Sequence, residues 1–480
     1  PETLAFLDTL MSLCAKNNIY VTISPFDNYY YKEYWNNNPY NSENGGPITS
    51  PENFVTDPSA INAQKKRFDT LYNIIKDHHN FFGWEVMTEW DNDTFAAKNT
   101  GWENQRIEWL KTLCKHLRSL DRENMIYATH VMENPYDELM DFALLSDYFD
   151  FTGIHNYTKS VSRPDGSPDS TPYIRPATET RRLMKYNMGI TSLDKKPVFD
   201  NEFGPIQVDE YTSSFTQFDD EEYFHNIIWA EFACGAAGMP LRWPSKVLED
   251  RGPLLTETMW DYQENMSKFF QTTKIDFTSF AGTSWDKQIT MVEPKSIPHH
   301  IFANSDGQNG LIFVLLDDRN YDLPVTVKDA VLKVKDLSAD GNYRIELWNT
   351  RSMTSSITTQ TISSTDHQLH ISIPSFSRDI MVTFAYEQAN SPPEAPKLSL
   401  SIDEQSQVTI LWQPVEDAVS YTFYYAPFPS ADSIGTLEFG SYVTEIPKFN
   451  ATGMAFYLAI KANNSFGSSD FSNIEWFSLK

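Results

Sequence analysis

The sequence predicts an α/β fold of parallel strands and helices in its first part, followed by two all-β domains. Over residues 1–273, short apolar runs alternate with segments of helical periodicity, which is typical of βα units. From residue 274 helical periodicity is absent, and β-branched and aromatic runs separated by turn residues indicate a β-sandwich over 274–389. A proline-rich linker at 390–397 then leads into a second all-β unit at 398–480.

The first part contains six apolar runs of strand length. Helical stretches such as 60–79 separate them, so the strands should form a parallel sheet covered on both faces. The predicted strands are 19–23, 84–88, 125–129, 149–154, 197–200 and 236–241.

Composition narrows the classes of function. The net charge of −27 disfavours binding to nucleic acid and to anionic membrane surfaces, and no apolar run is long enough for membrane insertion. Cys14, Cys114 and Cys234 are widely spaced on apolar helical stretches, which indicates free thiols. No cluster of His or Cys has ligand spacing, so we expect no metal site and no cofactor. The aromatic content of 14% suits sugar contacts but equally suits β-sandwich cores.

Two strands of the first part end on carboxylates. Glu89 closes the run 82–89 and precedes Trp90, whereas Glu202 closes the run 196–202 and precedes Phe203 and Gly204. Barrel enzymes carry their catalytic groups at the carboxyl ends of strands, and cleavage of a glycosidic bond needs two carboxyl groups. The sequence therefore predicts that Glu89 and Glu202 converge in a glycosidase site.

These segments resemble the signature strands of the clan A glycoside hydrolases, such as family 5, which are retaining (β/α)8 (TIM) barrels. The resemblance covers about residues 1–270 and implies that Glu89 is the acid/base and Glu202 the nucleophile. His155 and Tyr157 match the clan's His-x-Tyr pair, whose tyrosine hydrogen-bonds the nucleophile. Trp243 matches the tryptophan that floors the sugar subsite.

Two departures from the clan accompany this resemblance. Thr88 stands where the clan usually has an asparagine that holds the sugar 2-hydroxyl. The chain also begins in what would be the helix before the third barrel strand, so the first two βα units are not visible and a fragment of a longer product is expected. Arg242-Trp243-Pro244 and a C-terminal Ig-like unit are in addition similar to family 158 endo-β-1,3-glucanases.

Further residues are candidates for substrate binding. Asp27 and His130 end their strands, and Tyr30 lies in an aromatic-rich loop where sugar platforms are often found. Trp90, Asn201 and Arg242 complete the set because each is next to Glu89, Glu202 or Trp243. Packing or salt-bridge roles are the alternatives for these residues.

The sequence thus predicts a retaining β-glycoside hydrolase, endo-acting on a β-linked glucan or mannan, with Glu89 protonated and Glu202 ionised near neutral pH. The alternatives are a non-catalytic carbohydrate-binding protein on an inactive barrel and an exo-acting β-glycosidase. The expected partner is a poly- or oligosaccharide, the expected location is secreted, periplasmic or at the cell surface, and the oligomeric state stays open.

The all-β domains carry separate expectations. We expect the sandwich over 274–389 to cover apolar helix surface, including Trp260 and Phe269, in a structural role. The unit over 398–480 resembles a fibronectin type III domain through Trp412, Tyr421 and the alternation that ends at Ala462, and it would serve display or weak sugar contact.

Overall fold

The protein forms two compact units, Pro1–Tyr386 and Glu387–Lys480. The division of the first unit at residue 274 stays a prediction. The structure, a computed structural model, describes residues 2–28, 34–91, 102–131, 142, 146–157, 174, 177–178, 180–181, 184, 196–204, 217–238, 241–243, 255–273, 275, 277, 280, 285–317, 324–352, 358–387, 392–415, 418–440, 443–464 and 466–479.

The first part of the first unit alternates helices with short strands. Asp57 caps the second helix by accepting a hydrogen bond from the Ser59 N–H, and a proline follows at the first helical position. The elements are α1 (Glu2–Lys16), β1 (Val21–Ile23), α2 (Pro58–Ile75), β2 (Phe81–Glu85), α3 (Trp102–Leu120), β3 (Met125–Tyr127), β4 (Thr129–Val131), β5 (Thr152–Asn156), β6 (Val198–Phe203), α4 (Gln217–Cys234) and α5 (Glu257–Thr272).

All six of these strands pair in parallel, in two three-stranded sheets of order β1-β2-β3 and β4-β5-β6. Parallel pairing agrees with the sequence prediction. The strand predicted at 236–241 is wrong for its described residues, 236–238 and 241, which are not in a strand, and the count of six is reached because β3 and β4 are separate. The closed (β/α)8 barrel is a finer prediction that the described residues do not show. Glu89 follows the carboxyl end of β2 in the first sheet, and Glu202 lies near the carboxyl end of β6 in the second.

The second part of the first unit is antiparallel β structure. Two sheets of order β13-β10-β7 and β12-β11-β14-β9-β8 enclose an aliphatic core. The strands are β7 (Ile289–Glu293), β8 (His299–Ser305), β9 (Asn309–Leu316), β10 (Thr326–Val334), β11 (Asn342–Trp348), β12 (Thr358–Ser363), β13 (Leu369–Ser377) and β14 (Asp379–Glu387).

This sandwich packs on α4 and α5. Trp229 of α4 stacks near Phe313 of β9, and Phe269 of α5 lies edge-on to Trp348 of β11 with ring centroids 5.2 Å apart. A single apolar cluster joins the two helices to the strands. The sandwich therefore covers Phe269 as expected. Trp260, by contrast, is 60% exposed, so the expectation that it would be covered is wrong: it lies on the solvent side of α5.

The second unit is a smaller antiparallel structure of two sheets around Trp412 and Tyr421. The Tyr421 hydroxyl accepts a hydrogen bond from the Val415 N–H. Its strands are β15 (Leu398–Ile402), β16 (Gln407–Trp412), β17 (Ser420–Pro427), β18 (Gly435–Gly440), β19 (Glu445–Asn450), β20 (Ala455–Asn464), β21 (Gly467–Ser468) and β22 (Glu475–Ser478).

Across both units, no described helix combines the length and the apolar character that a membrane crossing requires. Cys14, Cys114 and Cys234 are free thiols.

Candidate active site

Glu89 lies in a turn just beyond β2, with a left-handed φ of 51°. The chain on either side is held by neighbouring strands: the Thr88 N–H donates to Phe26 O, and the Trp90 N–H donates to Thr129 O. A non-glycine residue adopts positive φ only at a cost of about 1–3 kcal/mol, which the surrounding contacts must offset. The turn thus fixes the direction of the Glu89 side chain.

Glu202 lies in β6, directly opposite His155 of β5 in the strand register. Gly204 follows, with a φ of 157°, and a Cβ atom there would lie 1.9 Å from the Trp243 carbonyl oxygen. Only glycine allows this close approach, which brings the segment 241–243 against the end of β6. Trp243 is 38% exposed, and its backbone N–H donates to the carbonyl oxygen of Phe203, the residue after Glu202.

His155 joins the two carboxylates. Its Nδ1 atom lies 2.9 Å from Glu89 Oε1 and 3.0 Å from Glu202 Oε2. Burial disfavours the charged imidazolium, but the hydrogen bond to Glu89 and the charges of Glu202, Glu89 and Glu85 outweigh it, so the pKa of His155 is raised. A protonated His155 would partly neutralise two carboxylates that otherwise repel each other.

Tyr157 donates a short hydrogen bond from its hydroxyl to Glu202 Oε1. Burial raises the pKa of Tyr157, as does the charge of Glu202, so the hydroxyl remains a donor. For Glu202, burial raises the pKa, and this effect exceeds the lowering by His155 and by the Tyr157 hydrogen bond. The hydrogen bond expected from the resemblance is present, but the pKa of Glu202 lies above its ordinary value, opposite to the direction that a permanently ionised nucleophile requires.

Glu89, His155 and Glu202 each bring one potential ligand atom within 4.8 Å of the other two. His155 Nδ1 forms a hydrogen bond with Glu89 Oε1 at 2.9 Å and lies at ion-pair distance, 3.0 Å, from Glu202 Oε2. We interpret the cluster as a proton-handling site and assign no metal ligand in it.

A layer of polar side chains lies beneath these groups. Thr129 donates a short hydrogen bond to Glu85 Oε1, and Asn201 Nδ2 donates to Thr129 Oγ1 at 3.0 Å. Thr88 Oγ1 lies 2.9 Å from Ser24 Oγ. Burial raises the pKa of Glu85, against the hydrogen bond from Thr129 and the charge of His155. Asn201 and Thr88 therefore support the floor of the site through contacts with neighbouring strands.

Arg242 and Trp90, like His155, were predicted to bind sugar and are buried. Arg242 is 3% exposed, and its guanidinium pairs with Asp220 of α4, donating from Nε to Oδ1 at 3.1 Å. Trp90 is fully buried beside Phe142. Direct sugar contact by Arg242 or Trp90 stays a prediction, and these positions favour the packing and salt-bridge alternatives.

The structure describes only part of the three other candidates, Asp27, His130 and Tyr30. Asp27 is half-buried and forms an isolated parallel bridge with Thr88, so its backbone borders the site. His130 belongs to β4, but its side chain is outside the described residues, and Tyr30 is outside them altogether.

Sequence reasoning missed three carboxyl groups near the site. Glu85, Asp200 and Glu231 are all buried, and each lies within an apolar strand or helix. A charged residue inside an apolar run was the available signal, because such a group must be paired or neutralised when buried.

Comparison with known proteins gives matches at the level of structure. No protein-family model and no curated protein sequence matches the chain. Among solved structures, an endo-1,4-beta-mannanase from Rhizomucor miehei is similar at 16% identity and a TM-score of 0.39, covering 53% of this chain and 73% of its own. An endo-beta-1,4-mannanase from Thermotoga petrophila is similar at 10% identity and a TM-score of 0.42, covering 91% of this chain and 82% of its own.

The last part of the chain matches different structures. The fn3 domain of human contactin 1 is similar at 17% identity and a TM-score of 0.17, covering 20% of this chain and 87% of its own. At these identities and TM-scores, the similarities carry no conclusion about activity or substrate.

Proposed function

We propose that the protein is a retaining β-glycoside hydrolase that cleaves internal linkages of a β-linked glucan or mannan. The observation that carries the proposal is the convergence of Glu89 and Glu202 on His155 Nδ1, with one carboxylate oxygen of each glutamate and that nitrogen all within 4.8 Å. Retaining enzymes hold their two carboxyl groups about 5–5.5 Å apart, whereas inverting enzymes need about 6.5–9.5 Å to admit a water molecule. One carboxylate oxygen of Glu89 and one of Glu202 are therefore closer together than an inverting enzyme requires, which favours double displacement.

In this mechanism Glu202 attacks the anomeric carbon while Glu89 gives its proton to the leaving oxygen. The glycosyl–Glu202 ester then forms, and the glycosidic bond to the leaving group breaks. Glu89, now ionised, takes a proton from water, and the resulting hydroxide releases the sugar and regenerates Glu202. Tyr157 and His155 support the ionised form of Glu202, since both lower its pKa against the effect of burial.

Trp243 is proposed as the sugar platform because it is partly exposed and its backbone bonds to the residue that follows Glu202. Since a polysaccharide does not cross membranes, we also propose that the protein acts outside the cytoplasm. Fractionation of cells that produce the natural protein would test this location.

The catalytic proposal is tested by hydrolysis of a panel of β-glucans and β-mannans, with product sizes and NMR of the anomer formed first. We expect mixed oligosaccharides and retained configuration. Monosaccharide release alone would support the exo-acting alternative, and inversion would contradict double displacement.

The roles of the glutamates need matched variants. Glu202→Gln should abolish turnover, whereas Glu89→Ala should recover activity with azide and form a β-glycosyl azide. Glu264→Gln is the control, because Glu264 is exposed on α5 and pairs with Lys268. Unchanged activity in both site variants would contradict the assignment, and binding without turnover in the parent protein would support the non-catalytic alternative.

A further inference from the structure

Two carboxyl groups meet between β6 and α4, behind the proposed site. Asp200 of β6 and Glu231 of α4 are both 0% exposed. Their side chains contact each other, and the neighbouring α4 residues Ile227, Ile228 and Ala230 are apolar and buried. Two ionised carboxylates in contact inside an apolar interface would repel each other strongly.

The hydrogen-bond partners of this pair are unequal. Asp200 Oδ1 accepts from the Glu202 N–H at 3.3 Å. No N–H or O–H group of the described residues has hydrogen-bonding geometry to Asp200 Oδ2 or to either Glu231 oxygen. The Asn156 amide lies near Glu231, but its nitrogen donates to Thr180 Oγ1 at 2.8 Å. Carboxylates only accept hydrogen bonds, so the contact between the pair is satisfied when one carboxyl carries a proton.

We propose that Asp200 and Glu231 share one proton and that this protonated pair is a positioning device for Glu202. The effect on catalysis rests on the function proposed above, whereas the shared proton does not.

The pair acts where the strand register of β5 and β6 is irregular. Ile154 pairs with Asp200 and His155 pairs with Glu202, and the register shifts between these two pairs. Asp200 Oδ1 holds the Glu202 N–H at this irregularity. The bond fixes the backbone from which the Glu202 carboxylate reaches His155 and Tyr157. Loss of the shared proton would place two negative charges between β6 and α4 and displace that backbone.

The pKa shifts of Asp200 and Glu231 agree with their burial and mutual contact. Burial raises the pKa of Asp200 to about 7 and raises the pKa of Glu231 well above its ordinary value. Among the described residues, the other charged group that acts on the pair is His155, whose charge favours ionised Asp200. Because the folded-state pKa values are raised, the stability that the pair contributes is complete below about pH 4 and is lost as the pH rises through about 7 and above.

Glu231→Gln tests the shared proton, since the glutamine amide can donate permanently to Asp200. We expect the melting temperature of the full-length protein to fall between pH 5 and pH 9 in the parent, and to fall less in Glu231→Gln. Asp200→Asn is a second variant with the same expectation, because its amide can donate to Glu231. Parallel melting profiles in the parent and in every folded variant would overturn the shared proton, as would failure of both variants to fold at pH 6.

The positioning role is tested with 2,4-dinitrophenyl β-cellobioside and β-mannobioside, whose leaving group needs no protonation by Glu89. For whichever compound the parent hydrolyses, we expect kcat/KM of the parent to fall at alkaline pH. In Glu231→Gln, the pH at which kcat/KM falls should be higher by about one unit or more. An unchanged profile would overturn the positioning role. If neither compound nor any glycan is hydrolysed, the proposed function fails, and with it the positioning role, while the melting profiles still decide the shared proton.

Discussion

The strongest stability prediction concerns Arg351, which lies just after β11 and ties the sandwich to the helices. Its guanidinium donates to Glu222 of α4 at 2.6 and 2.8 Å and to Asp379 at 2.9 and 3.0 Å. It also donates to the Tyr262 hydroxyl of α5 at 3.2 Å. Glu222 and Asp379 have side chains only 1% exposed, so Arg351 pairs with two deeply buried carboxylates.

Arg351→Met keeps the length of the side chain and removes its charge. Removing one partner of a buried ion pair costs about 3–5 kcal/mol, because the remaining charge is left unpaired. Arg378 lies 3.4 Å from Glu222 and offsets part of that cost, which places the expected loss near 3 kcal/mol at neutral pH. The control is Lys268→Met, whose exposed pair with Glu264 should contribute less than about 1 kcal/mol.

The pH dependence of this loss has a definite sign. Burial raises the pKa of Asp379, but the charge of Arg351 outweighs it, and the pKa is lowered overall. A lowered pKa contributes stability above the unfolded-state value, about 3.9, and that stability is lost as the pH falls. The parent keeps this contribution down to about pH 4. In Arg351→Met, burial without the guanidinium raises the pKa of Asp379, so its protonation relieves the unpaired charge as the pH falls, and the difference between parent and variant should shrink from pH 7 toward pH 4.

Urea unfolding of the full-length protein, followed by far-ultraviolet circular dichroism at pH 7, 5.5 and 4, measures this difference. An unfolding free energy of Arg351→Met within about 0.5 kcal/mol of that of Lys268→Met at pH 7 would contradict a stabilising buried ion pair. A loss of stability that is the same at every pH would contradict it as well.

Three further predictions concern the site and the second unit. Tyr157→Phe removes a hydrogen bond that lowers the pKa of Glu202, so the acidic limb of the pH–kcat/KM profile should move to higher pH; an unmoved limb would contradict this. Gly204→Ala should lower the free energy of unfolding in urea by about 1–3 kcal/mol, because its Cβ would clash with the Trp243 carbonyl. An unchanged free energy of unfolding would show that the segment 241–243 can move away without cost. Deletion of 391–480 removes most of a separate compact unit and should leave turnover of soluble oligosaccharides within about twofold, and loss of turnover would show that this unit is needed for activity.

The parallel strands and the convergence of the two glutamates were predictable because both follow from local patterns. An apolar run of strand length that ends on a carboxylate places that carboxylate at the sheet edge, and parallel strands bring such edges together. Glu89 and Glu202 illustrate this, and the observed β2 and β6 lie close to the predicted runs. The closed barrel stays a prediction, because it rests on the resemblance to the clan and not on a local pattern that the described residues can show.

The partner of each buried charged residue could not be predicted from the sequence. Arg242 was assigned to sugar because it precedes Trp243, yet its guanidinium lies on Asp220, which is remote from it in the chain. Trp90 likewise follows Glu89 but turns into the core. Adjacency in sequence says little about side-chain direction at the end of a strand, where the regular alternation of faces stops.

Helix α4 explains why these distant pairs belong together. Every residue from Tyr223 to Glu231 is buried, so the helix has no solvent-facing stretch there and its charged residues must be neutralised by neighbours. Asp220 pairs with Arg242, next to Trp243. Glu222 pairs with Arg351 of the sandwich.

The third buried carboxyl residue of α4, Glu231, contacts Asp200, which lies two residues before Glu202. One helix thereby connects the sandwich to both segments that border the proposed site. Because each connection is a buried charge with a specific partner, the position of α4 is fixed more narrowly than apolar packing alone would require. The described residues therefore provide a continuous series of buried polar contacts that runs from the sandwich through α4 to the segments containing Glu202 and Trp243.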